Sequence, residues 1–67
     1  MSATEKLRAL GYGGTAEEVG RFQRDYNKIF PVSLIISGKL DRATQEAATI
    51  AHSSRAMFWA MRDGKSW

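Results

Sequence analysis

Cysteine is absent from these 67 residues, which excludes a disulfide framework and any thiolate zinc site. Histidine occurs once, at His52, with no second His or Cys to complete a metal site, so it reads as a polar helix-surface residue. No apolar run approaches the roughly 20 residues of a membrane span. Residues 1–8 lack the basic segment and apolar stretch of a secretory signal, so the chain as written is expected to stay in the cytoplasm without membrane insertion. A chain this short buries only about 60% of its unfolded surface. One small core is the ceiling, and a deep catalytic cleft has no room.

Catalytic chemistry has few carriers. Glu17 and Glu18 open a helix and Asp41 caps another, which accounts for them without pairing either to Asp25 or Glu46 as an acid and base. Ser37 and Ser53 have no placed base. Gly11, Gly13 and Gly14 make a glycine-rich turn before a helix, yet neither a Lys-Ser/Thr pair nor a flanking strand accompanies them, so a phosphate loop is excluded. The chain reads as a non-enzyme with no cofactor and no metal.

Helical signals are strong. The first segment, about residues 4–10, puts Leu7 and Leu10 on one face and ends at Gly11, able to take a left-handed conformation. The second, 16–29, starts at a Thr15–Glu18 capping box and carries Val19, Phe22, Tyr26 and Ile29 at helical spacing. Pro31 stops it, because proline disfavours a helical Phe30 and lacks the N–H that continuation needs. Residues 32–40, with Val32, Leu34, Ile35 and Ile36, are extended or form a short strand pair around Ser37-Gly38. Asp41 then caps a third helix. From it Ala43, Ala47, Ile50, Ser54, Met57 and Met61 recur at steps of four and three, as one long helix or as two with Ser53 or Ser54 as the second cap.

Taken in order, "LRALGY", "EEVGRFQ" and "LIISGKLDRAT" resemble the peptidoglycan-binding-like domain, a small three-helix module carried by bacterial cell-wall hydrolases and by metalloproteinase propeptides. The resemblance spans roughly residues 5–51, and the ordered combination is more specific than any one piece. The chain departs from the pattern in the bare Gly13-Gly14 link, in the long 24–33 stretch, in Ser33 where a Gly commonly precedes the Leu, and in a C-terminal extension. The resemblance implies an all-α, compact three-helix bundle in residues 1–52, with an extended or additional C-terminal helix in residues 53–67. It also implies a non-catalytic module that binds or targets peptidoglycan, reaching the wall through lysis or as part of a secreted protein. The alternative, favoured by the missing signal and the elaborated tail, is a cytoplasmic or phage protein-interaction adaptor that keeps the fold without the wall.

Ten Lys and Arg against seven Asp and Glu leave a net charge of +3. Arg21, Arg24 and Lys28 form a stripe beside the apolar face of the second helix, which Lys6 and Arg8 are placed to join. The bland reading of that stripe is a solvated helix face. With Lys39 from the 33–39 segment, the three are the candidate ligand contacts, in a shallow groove of the kind sugar binders line with polar groups and an exposed aromatic ring. Nucleic acid is not expected, since no base-reading helix or interleaved aromatic platform is present. Met57, Phe58, Trp59 and Met61, with Trp67, either cover the core or form a partner surface, the latter offering a homo-oligomer through the extension. On a continuous helix Arg55 or Arg62 would cover the Trp59 ring.

Overall fold

The computed structural model describes residues 1–31 and 33–64, so Val32 and Trp67 lie outside the described residues. It is all-helical, with α1 (Ala3–Ala9), α2 (Ala16–Ile29), α3 (Arg42–Ser53) and α4 (Arg55–Arg62) and no strand among those residues.

Each start is written in the sequence. At α1 the Ser2 hydroxyl accepts the Glu5 N–H at 3.2 Å and the Glu5 carboxylate accepts the Ser2 N–H at 3.1 Å, a reciprocal box one residue ahead of the expected start. At α2 Thr15 accepts the Glu18 N–H at 3.3 Å, but the return half of the expected box is absent: Glu18 reaches two residues further back, to the Gly13 N–H at 3.3 Å. The bare glycine link brings that N–H within range. Asp41 caps α3 as expected, accepting the Thr44 N–H at 2.9 Å, and this bond holds its carboxyl below the usual carboxylate range. Phe30 ends α2 in extended backbone before Pro31, and Gly11 takes the left-handed conformation at φ 99°.

The core is built on Phe22, which has no exposed surface. Its ring lies 5.4 Å edge-on from Tyr12, 5.7 Å from Tyr26 and 5.9 Å from Phe58. Leu7, Leu10, Val19 and Leu34 fill around it, while α3 turns Thr44, Ala47, Ala48 and Ala51 inward and packs mainly against α1. Such short side chains keep the helix backbones close.

The C-terminal part takes the two-helix form of the two that the sequence left open. Of the stripe Ala43, Ala47, Ile50, Ser54, Met57 and Met61 only Ala47 is buried, whereas Ile50 and Met61 are 49% and 46% exposed. The chain breaks at Ser54 (φ −120°, ψ 41°), giving two helices, and the Ser54 hydroxyl makes no cap bond. On α4 Phe58, rather than Met57 or Met61, enters the core at 0% exposure, seven residues on from the buried Ala51. One core therefore runs across the expected 52/53 boundary.

Candidate functional site

Residues 33–39 have no strand partner because α2 holds them. Asn27 pairs with Leu34 in both directions, its Nδ2 donating to the Leu34 carbonyl at 2.9 Å and its Oδ1 accepting the Leu34 N–H at 2.7 Å. One helical turn earlier, Gln23 is fully buried. Its Oε1 accepts the Ser37 and Gly38 N–H groups, each at 3.0 Å, while its Nε2 donates to the Lys39 carbonyl at 3.1 Å and to Thr44 Oγ1 at 2.9 Å. Two side chains of α2 thus supply the hydrogen bonds a neighbouring strand would have supplied.

The clamp draws the Ser37-Gly38 turn against the helix. A Cβ on Gly38 would sit 2.8 Å from the Ala16 carbonyl, and the residue lies at φ 75°, so no side chain is tolerated there. A Cβ on Gly20 would come within 3.9 Å of the Gly38 Cα. Between the two elements lies an open groove of about 510 Å³, with Glu17, Gly20, Arg21 and Arg24 on the α2 side and Ile36, Ser37 and Gly38 on the other.

Its charges differ in how far they are already engaged. Arg21 meets Glu18 at 3.0 Å and lies over the Tyr12 ring at 5.4 Å from the centroid. Glu18 is held by that guanidinium and the Gly13 N–H. Glu17 and Arg24, both exposed, make no ion pair or side-chain hydrogen bond among the described residues.

Of the four residues expected to contact a ligand, the groove brings together Arg21 and Arg24. Lys28 and Lys39 are exposed and do not line it. Lys6 does not extend the stripe, because its Nζ donates to Thr49 Oγ1 at 2.9 Å, on α3. Glu17, Gln23 and Asn27 complete the site; of these the sequence pattern marks only Glu17, as part of a helix start, and gives Gln23 and Asn27 no site role. The available signal was two carboxamides one turn apart, beside the apolar face of α2.

The α4 face is largely self-satisfied. Phe58 is inside the protein and withdrawn from any partner surface, Met57 and Trp59 are half-buried, and Met61 is exposed. Trp59 Nε1 donates to the Leu10 carbonyl at 2.9 Å, tying α4 to the end of α1. Neither arginine covers the Trp59 ring. Arg62 lies instead over Tyr12, 5.7 Å from the centroid, with its Nη1 3.4 Å from both the Tyr12 hydroxyl and the Leu10 carbonyl. The Tyr12 hydroxyl donates to Asp25 at 2.6 Å, and burial, with Asp25 adding to it against Arg62, pushes the phenol up to about 12.

Among the described residues no group of three or more His, Asp or Glu could hold a metal ion, and no helix is long and apolar enough to cross a membrane. Comparison with family models, curated proteins and solved structures returned no match for this chain.

Proposed function

We propose that the protein is a non-catalytic binding module of the peptidoglycan-binding-like type, and that the groove between α2 and the Ser37-Gly38 turn is its contact with the bacterial cell wall. The observation that carries this reading is the buried Gln23 clamp. Three hydrogen bonds from one side chain fix a glycine turn against a helix, a fourth ties it to α3, and an open groove with a guanidinium in it is left alongside. A binding surface assembled before its ligand arrives loses little entropy on association. The same segments, "GRFQ" and "LIISGKLDRAT", carry the resemblance to the wall-binding family.

Ile35 and Ile36, 76% and 51% exposed at the groove edge, favour a second reading as a protein-interaction adaptor. Parallel pull-downs with protein-free sacculi and with cell lysate separate the two. Retention on sacculi that is lost in Arg24→Glu supports wall binding. Absence from sacculi with capture of a defined protein supports the adaptor.

A further inference from the structure

Sugar binders seat pyranose rings on exposed aromatic faces, and among the described residues the groove has none. Tyr12, Phe22, Tyr26 and Phe58 are all buried, Phe30 and Trp59 are half-buried, and no described aromatic residue lines the groove. What it offers instead is an unpaired carboxylate at one end and an unpaired guanidinium at the other. Glu17 and Arg24 are seven residues apart on α2, two turns along one face, which places them about 10 Å apart along the axis. The charges between them, Glu18 and Arg21, neutralise each other. The opposite wall supplies the apolar Ile36, and the backbone N–H groups of Ile35 and Ile36 have no acceptor among the described residues.

Resting on the wall-binding reading, we infer that the groove recognises the peptide branches of the wall rather than its glycan. It takes about three extended residues, with an ammonium group against Glu17 and a carboxylate against Arg24. Three extended residues span about 10 Å, which matches the separation of the two side chains. The Ile36 side chain on the far wall gives an apolar contact for the peptide between its charged ends. The order of charges sets the direction in which it lies. Glycan strands stripped of peptide carry carboxylates but no amine, so they leave the Glu17 end unsatisfied.

Co-sedimentation of the intact protein with chemically modified sacculi tests this. The four substrates are untreated sacculi, sacculi with amines acetylated, sacculi with carboxylates amidated, and glycan strands stripped of peptide. Each modification is expected to weaken retention roughly tenfold, the scale of one lost charge-assisted contact, and stripped glycan to be released. Glu17→Gln should retain the sensitivity to amidation and lose that to acetylation, and Arg24→Gln the reverse. Both side chains are exposed, so the fold tolerates either change, and Arg42→Gln, exposed elsewhere, controls for the loss of a positive charge. Stripped glycan that binds as well as untreated sacculi overturns the peptide assignment and leaves wall binding standing. So does a Glu17→Gln protein that stays sensitive to acetylation. No retention on untreated sacculi overturns both.

Discussion

Replacing Gln23 by leucine removes the clamp while keeping a buried side chain of similar length. Gln23 makes four hydrogen bonds to the protein and has no exposed surface. At a net contribution of about 1 kcal/mol each, their loss costs about 4 kcal/mol. Burying additional apolar surface at the same site returns about 1–2 kcal/mol, so the net loss is about 2–3 kcal/mol. A 67-residue chain commands roughly 3–10 kcal/mol in total, so the variant stays near the edge of folding. With a urea dependence of about 1 kcal/mol per molar for so small a domain, the midpoint should fall by about 2–3 M. Amide exchange supplies the local readout: the Ser37 and Gly38 N–H groups, protected in the parent, should exchange freely in a variant whose helices remain protected. Gln23→Glu should be worse, since it loses the donor half of the clamp and buries a carboxylate. A Gln23→Leu midpoint within about 0.5 M of the parent, with Ser37 and Gly38 still protected, would show that something other than Gln23 holds the turn and refute the reasoning.

Phe58→Ala should cost about 3–5 kcal/mol and truncation after residue 52 should leave a molten chain by near-UV circular dichroism, because the ring sits among Tyr12 and Phe22; a well-packed truncated domain would contradict a core shared with α4. The Tyr12 phenol, raised to about 12, favours the neutral form in the folded state, so its contribution is complete below about pH 10 and is lost as pH rises through its folded value; phenolate absorbance titration of the parent against Tyr12→Phe should show one late-titrating tyrosine removed. Asp41 has the opposite sign. Its lowered pKa gives stability that is present above the ordinary carboxylate value and lost as pH falls through the folded one, so Asp41→Asn should flatten the acid limb of urea midpoints below the ordinary carboxylate value. Gly38→Ala should destabilise through both the positive φ and the Ala16 carbonyl, whereas Gly64→Ala, with the same sign of φ and open space around it, should lose only the conformational part.

The helices were legible because their signals are local. Thr15, Asp41 and Pro31 act on backbone groups within four residues of themselves, and the stop at Phe30 and the starts at Ala16 and Arg42 follow from them. The face of α3 was not legible in the same way. Ala43, Ala47 and Ile50 make as regular a series as Thr44, Ala47, Ala48 and Ala51, and apolarity favours the first. The second wins because α1 packs there and short side chains admit it, a property of the neighbour rather than of the pattern. The same holds past Ser54. Phe58 falls seven residues after Ala51, on the buried series rather than on the stripe with Met57 and Met61.

The site was half legible for a related reason. Arg21 and Arg24 stand out as charges, and Ser37-Gly38 as a turn, but nothing local says that the turn will rest on the helix. That depends on Gln23 and Asn27, polar residues which a hydrophobicity pattern assigns to solvent. Their burial is stable because the partner is a loop whose backbone groups pair with them, so each carboxamide is satisfied by the chain it holds. A carboxamide pair one turn apart beside an apolar face, followed within about 15 residues by an uncharged β-branched segment and a glycine turn, is therefore a readable arrangement, since neither partner can bury its polar groups alone. The charged positions matter differently. Glu17 and Arg24 contribute nothing to holding the turn, and this is what leaves them free to meet a ligand. Within one helix the buried amides build the groove, and the exposed charges two turns apart decide what enters it.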